Sequence, residues 1–384
     1  MEVVVVSAVR TAIGKEGGSL AATPAYKMAA AVIKEAVARA KVDPSEIGDV
    51  VFGNCFSEDG NLARVAALEA GLPVDVPGLT IDRQCGSGIN AVALAAQTIL
   101  SGQAGVVVAG GAESLSQRPY MMGRPTKAYD RMPPQFLRLR LSTEAIGDPP
   151  MGITAENLAE KYNISREEQD EFAFHSQRKM AAAMEAGKFK NQIVPLEVKD
   201  GKITRSFEVD EHPRATTMEA LAKLRPVFKA GGTVTAGNSS GLNDGAGALV
   251  LMTRKRAEQL GLDVLATVRQ TAIAAVDPNI MGIGPVPAIR KLLERTELRL
   301  DDIDLVELNE AFAAQVLACD RELHFNHETL NVNGGAIAHG HPIAGTGAIL
   351  ATKLLHEMNA RNVKRGILTA CIGGGQGIAT LFER

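Results

Sequence analysis

Apolar residues in this chain come in short unbroken runs, separated by glycine-rich turns and by Ala-rich stretches of helical period. The opening MEVVVVSAVRTAIG reads as a buried strand followed by a turn. The pattern then occurs twice. VDPSEIGDVVFGNC (42–55) and LTIDRQCGSGINAVALAAQTILSGQAGVVVAGGAES (79–114) run through an Asp-rich turn, an apolar strand, a second short strand, a Gly-rich turn, an Ala-rich helix, a strand and a Gly-rich loop. LRLDDIDLVELNEAFAAQ (298–315) and LNVNGGAIAHGHPIAGTGAILATKLLHEMNARNVKRGILTACIGGGQG (330–377) repeat that order. Alternating strand and helix patterns predict an α/β fold of two similar halves, each with a mixed sheet and crossover helices.

A different region separates the halves. It begins with the basic, Pro-containing SQRPYMMGRPTKAYDRMPPQFLRLR and contains a long amphipathic helix. Ser165 and Glu168 are spaced as a capping box that starts this helix. It ends in GTVTAGNSSGLNDGAGALVLM (232–252). The expected organisation is residues 1–114 plus 244–262 as one half, 263–384 as the other, and 115–243 as an insertion over a two-sheet core. Excursions of that length in compact proteins usually bind something.

Composition narrows the function. The 384 residues carry 41 basic and 44 acidic side chains, a net charge of −3, against the basic surplus that nucleic-acid binding needs. No apolar run reaches the roughly 18–20 residues of a membrane span. Residues 1–14 lack the basic and apolar regions of a signal peptide, and the final LFER is no peroxisomal address. Free thiols in a reducing compartment, the cytoplasm, are therefore expected. Cys55, Cys85, Cys319 and Cys371 are too far apart in sequence for the usual zinc spacing, so no metal site is expected. No glycine loop fits a dinucleotide fingerprint or a phosphate loop, which excludes a nicotinamide-dependent oxidoreductase.

The candidate chemistry lies in the Gly-rich turns. Cys85, in IDRQCGSGIN, sits at a helix start, where the helix dipole and free N–H groups favour a thiolate. The plainer alternative is a cysteine packing that start. His341 holds the same place in the second half, with Pro342 after it. If the halves superpose, the two side chains project toward each other as a nucleophile–base pair. His339 competes with it but is not at the helix start. Cys371 opens the loop Gly373–Gly374–Gly375, whose N–H groups can cradle an oxyanion. Asn309 either caps the helix AFAAQVLA or holds a water aimed at developing negative charge. Cys55 and Cys319 read as packing thiols.

These residues resemble the thiolase family of acetyl-CoA acyltransferases across essentially the whole chain. The motifs are CGSG (85–88), GGAESLS (110–116), MGITAEN (151–157), ISREEQD (164–170), GTVTAGNSSGLNDGA (232–246), NEAF (309–312), GHP (340–342) and CIGGGQG (371–377). The resemblance implies a duplicated five-layered α/β/α/β/α core with an inserted loop domain. It also implies Claisen condensation of coenzyme A thioesters, or thiolysis of 3-oxoacyl-CoA, through an acyl-Cys85. By the same resemblance His341 activates Cys85, and Cys371 is the second acid–base. Asn309 holds a water that forms one oxyanion hole with His341, and the N–H groups of Cys85 and Gly373 form another. Ser240 and Arg214 fall at coenzyme A contacts. Met151, Phe228, Met281, Ala311 and Phe312 fall at the acyl and pantetheine pocket. Coenzyme A is then a substrate, with no cofactor, and a homotetramer or homodimer is implied.

The chain departs from the family pattern at three places. Pro150 stands where biosynthetic members often carry His, a form closer to degradative members of fatty acid β-oxidation. His339 stands where the family has an apolar residue, and Ala344–Gly345 where it has Gly then a small residue. Arg118, Arg124, Lys127, Arg131, Arg138 and Arg140 read as contacts for coenzyme A phosphates or as an exposed loop that joins subunits. Two other readings are a catalytically silent, CoA-binding subunit and a decarboxylating ketoacyl synthase. The second fits less well, because Asn309 and Cys371 occupy the loops where that chemistry resembles a Cys-His-His set.

Overall fold

A computed structural model describes residues 1–125, 127, 133–201 and 203–384, so Arg131 lies outside the described residues. The apolar runs become nine main strands: β1 (Val3–Thr11), β2 (Ile47–Gly53), β3 (Gly78–Ile81), β4 (Val106–Ser114), β5 (Asn243–Thr253), β6 (Ala266–Ala275), β7 (Leu305–Leu308), β8 (Arg365–Ile372) and β9 (Gln376–Glu383). The principal helices are α1 (Ala25–Ala40), α2 (Leu62–Glu69), α3 (Ser87–Leu100), α4 (Met151–Lys161), α5 (Arg166–Glu185), α6 (Pro285–Thr296), α7 (Ala313–Leu323) and α8 (Ile343–Arg361).

The first half pairs its strands in the order β1-β5-β4-β2-β3. The second pairs β6-β9-β8-β7, and a parallel bridge from Val306 to Leu330 marks the place of a fifth strand. Antiparallel and parallel neighbours fall in the same order in both. Instead of two separate sheets, the halves share one hydrogen-bonded path, because Val4 and Val5 of β1 pair with Thr267 and Ala266 of β6. An open strand edge leaves N–H and C=O groups unpaired. Joining the two first strands removes that cost at the seam.

Strand alternation sorts the side chains into layers. Val106 and Val108 of β4 face the cluster under α1 and α2, whereas Val107 and Ala109 face the one around α3 and α8. Across the molecule, Ala370 and Ile372 of β8 join that same central cluster, while Ile367 and Cys371 join the one around α6 and α7. Helices, sheet, helices, sheet, helices therefore follow in five layers, with α3 and α8 at the centre. The two central helices nearly touch. A Cβ on Gly88 would come within 2.7 Å of the Ala348 nitrogen, and one on Gly347 within 2.3 Å of the Ile89 nitrogen. Only glycine permits this approach. It brings the two helix starts side by side.

The insertion is tied down by polar pairs. Ser165 and Glu168 form the capping box at the start of α5. Arg10 of β1 makes a bidentate ion pair with Asp210 at 2.8 and 2.9 Å, both side chains buried.

Candidate functional site

Cys85 lies on the short turn before α3, two residues from its first residue, and His341 stands in the same relation to α8. Since these helices meet at their first turns, the Cys85 and His341 segments come to one end of one helix pair. Gln84 is held at φ 45° by its N–H on Asp82 (2.8 Å), a sharp elbow that turns the next residue out of the strand direction. Cys85 is half-buried.

The expected dipole-stabilised thiolate is not what the surroundings produce. Burial pushes the Cys85 thiol up to about 11, and Glu113 and Asp82 push the same way. The N–H of Gly373 and that of Cys85 itself pull against this. The resting sulfur is a thiol that needs a base. Cys371, at the end of β8, is fully buried and is raised far above the usual thiol range by burial and by its neighbours Cys85 and Cys319. Gly374 and Gly375 take φ of 85° and 83°, the left-handed conformation that closes the tight turn right after Gly373.

His341 is buried and held neutral, its pKa lowered to about 4 by desolvation. Its Nδ1 lies 2.6 Å from Thr346 Oγ1 and its Nε2 3.5 Å from Asn309 Nδ2. A neutral ring that donates from Nδ1 and keeps a lone pair on Nε2 satisfies both contacts. Asn309 does not cap a helix: α7 begins at Ala313, with Phe312 as its N-cap residue. The Asn309 N–H binds Thr369 O (3.0 Å), and its Oδ1 is buried without a partner. That leaves an acceptor free where the alternative of a held water places one.

The apolar candidates pack together. Met281, Ala311 and Phe312 belong to a single buried cluster that Met151 packs against, and Phe228 meets Phe312 edge to face at 6.1 Å. Ser240 is half-buried, and its N–H binds Ala311 O at 3.0 Å. Arg214 is exposed, with Nη2 on Ala236 O at 2.8 Å, in the same loop. Arg118, Arg124, Lys127, Arg138 and Arg140 belong to the insertion, where Arg138 pairs with Asp148 at 3.1 Å. Cys319 packs against Gly282 O, as a structural thiol. Cys55 donates to Asp82 at 3.2 Å and is raised far beyond the usual range.

Pro150 precedes α4 as its N-cap residue, without a side chain to bond the substrate. Ala344–Gly345 does not disturb the helix start: α8 begins at Ile343, with Gly345 N–H on Pro342 O at 2.7 Å. His339 is buried, its Nδ1 is on Gly340 O at 2.8 Å, and its Nε2 is unpartnered.

Sequence reading missed Thr346, whose signal is a hydroxyl one turn into a helix that follows a histidine. It also missed Glu113, a buried carboxyl in GGAES that accepts from Asn54 Nδ2 (2.9 Å) and the N–H groups of Cys55 and Phe56 (3.1 Å each). Burial raises it to about 8.

Residues 3–255 match the family model described as the N-terminal domain of thiolase, and residues 262–384 the C-terminal domain. This chain belongs to the thiolase family. It is 51% identical over 389 residues to an acetyl-CoA acetyltransferase of Escherichia coli, covering 99% of this chain and 98% of that protein. The crystal structure of the Bacillus anthracis acetyl-CoA acetyltransferase superposes with a TM-score of 0.95 at 46% identity, covering 100% of this chain and 98% of the other. Human mitochondrial 3-ketoacyl-CoA thiolase in complex with CoA gives 0.93 at 42% identity, with the same coverage. This thiolase is thus an acyltransferase of the α/β class that its duplicated pattern predicts. Among its described residues, no helix is long and apolar enough to cross a membrane, and no group of three or more His, Cys, Asp or Glu side chains is placed to hold a metal ion.

Proposed function

We propose that the protein transfers acyl groups between coenzyme A thioesters through an acyl-Cys85 intermediate. It cleaves 3-oxoacyl-CoA with coenzyme A, or condenses two acetyl-CoA molecules in reverse. The observation that carries this reading is the convergence of Cys85, Cys371 and the Gly373 N–H, beside His341 and Asn309.

In thiolysis, His341 Nε2 takes the Cys85 proton, and the sulfur attacks the 3-oxo carbonyl. The carbon–carbon bond then breaks, leaving acyl-Cys85 and the enolate of acetyl-CoA. Cys371 gives its proton to the enolate carbon, and acetyl-CoA leaves. Coenzyme A loses its thiol proton to Cys371, attacks the acyl-Cys85 carbonyl and departs as acyl-CoA. Cys85 leaves as a thiolate and recovers its proton from His341. Asn309, through a water, would join His341 in holding the enolate oxygen, and the Cys85 and Gly373 N–H groups would hold the tetrahedral oxyanion. One such donor is worth about 3–4 kcal/mol of barrier.

Met151, Phe228, Met281, Ala311 and Phe312 would line the path of acyl chain and pantetheine, with Ser240 and Arg214 along coenzyme A and residues 115–243 as the covering domain. Coenzyme A is a substrate, and the chemistry calls for no cofactor. Pro150 supports the degradative direction, in fatty acid β-oxidation. The exposed edge strand β3, with Leu79 outward, supports a homodimer or homotetramer. Four free cysteines, two of which must stay reduced, support the cytoplasm.

The test is incubation with acetoacetyl-CoA followed by intact mass. An acetyl adduct on Cys85, lost in Cys85→Ala, with acetyl-CoA formed, supports the reading. Unmodified wild-type protein with no acetyl-CoA formed refutes it and leaves a silent CoA-binding subunit.

A further inference from the structure

Two side-chain amides occupy matching places in the two halves. Asn243 is the first residue of β5 and Gln376 the first of β9, and these strands hold the same position in the repeated order β1-β5-β4-β2 and β6-β9-β8-β7. Each reaches across to the other half. Asn243 Oδ1 accepts from the His341 N–H at 2.9 Å, while its Nδ2 donates to Gly14 O at 2.8 Å and faces His212 Nδ1 at 3.4 Å. Gln376 Oε1 accepts from Arg83 Nη1 at 3.0 Å, two residues before Cys85. Space is left for the first contact: Gly340 has φ 99°, and a Cβ there would lie 2.4 Å from the Asn243 side chain.

We propose that Asn243 and Gln376 form a reciprocal clasp that sets the spacing of the reacting groups, each as a positioning residue held by one half and acting on the segment before the central helix of the other. This rests on Cys85 and His341 being the reacting pair. Cys85 and His341 precede their helices and lie outside the extended ladders: Cys85 sits in a single 3-10 turn, and His341 in one isolated bridge to Leu242, so side-chain ties add to a sparse backbone hold. Gln376 lies three residues after Gly373 on the same hairpin. Its bond to Arg83 therefore ties the segment carrying Cys85 to the turn whose N–H draws the thiol pKa down. Asn243 ties the His341 backbone to the first half, while Thr346 holds the ring. A displacement of about 1 Å at either segment is enough to cost about 100-fold in rate.

The experiment uses the full-length protein and two readouts. One is turnover of acetoacetyl-CoA. The other is the rate at which iodoacetamide alkylates Cys85 across pH, which needs no thiolase activity. Gln376→Leu is expected to move the alkylation profile to higher pH, slow alkylation at pH 8 about tenfold, and lower kcat about 100-fold with KM changed less than about threefold. Gln376→Glu keeps an acceptor for Arg83 and is expected to restore both rates to within about threefold of wild type. Arg83→Met should match Gln376→Leu, and the double variant should be no worse than either single. Asn243→Ala should lower kcat about 100-fold while leaving the pH profile of Cys85 alkylation unmoved, because it shifts the imidazole and not the Gly373 N–H that lowers the thiol pKa. Additive losses in Arg83→Met/Gln376→Leu, or a Gln376→Glu as impaired as Gln376→Leu in folded protein, overturn the clasp. If wild type forms no acetyl-Cys85, the acyl-transfer reading fails, whereas the alkylation series still decides the clasp at Cys85.

Discussion

The two halves of this thiolase put the same kinds of residue at the same strand ends and use them differently. Asn54 follows β2 as Asn309 follows β7. In the first half Asn54 spends its amide on Ala112 O and Glu113 Oε1, and the buried cluster is closed. In the second half Asn309 Oδ1 has no partner, and Cys371 stands at the end of β8 beside the Cys85 sulfur, where β4 ends in Glu113–Ser114. One copy of the motif is satisfied and load-carrying, the other left open toward a substrate. Under the proposed function a duplicated fold divides its labour: the structural copy would supply the nucleophile on a rigid helix start, and the unsatisfied copy the groups that move protons and hold charge.

The largest blow to that contrast comes at Cys371. Cys371→Ser is expected to keep acylation of Cys85 and to lower condensation about 10²–10⁴-fold, as loss of a general acid–base does. Rapid-quench acylation and steady-state condensation separate the two, and equal loss in both would contradict the division.

The paired amides are the next test. Asn309→Ala should lower kcat about 10²–10³-fold with stability little changed. Asn54→Ala should keep kcat within about tenfold but cost about 1–3 kcal/mol in urea denaturation, because it strips a buried carboxyl of a donor. If Asn54→Ala is as slow as Asn309→Ala in a protein of unchanged stability, the contrast is wrong.

A smaller effect is expected from pH. His341 and His212 are held neutral down to about 4, and His339 is lowered as well, all mainly by burial, against an ordinary 6.5. Between pH 6.5 and 4 the unfolded chain binds protons that the folded chain refuses, so stability is full above 6.5 and falls as pH drops through that window. His339→Leu removes one such group and its unpaired Nε2. It should raise stability by about 1 kcal/mol at pH 7.5 and by more at pH 5. A variant less stable at both pH values would show that the imidazole is satisfied by a partner.

Much of this was legible from residues alone. The doubled order of strands and helices, the capping box at Ser165, and the matching places of Cys85 and His341 before Ala-rich helices follow from periodicity and turn chemistry, which act over a few residues. The seam between β1 and β6 was not, since pairing at Val4 and Val5 depends on partners more than 250 positions away. The state of Cys85 is not legible in the sequence for a related reason. A helix start favours a thiolate, but desolvation and two nearby carboxylates outweigh it, and both arise only on folding. Asn309 reads from sequence as a cap or a water holder, and the helix beginning four residues later removes only the first of these.

The order of elements, the class of fold and the candidate reacting side chains were determined by sequence, because each is written in local pattern and residue type. Which asparagine is satisfied and which is free, which ring nitrogen keeps its lone pair, and how far each thiol is from ionising were decided by tertiary structure. Those properties belong to burial and to partners that only the meeting of the two halves supplies.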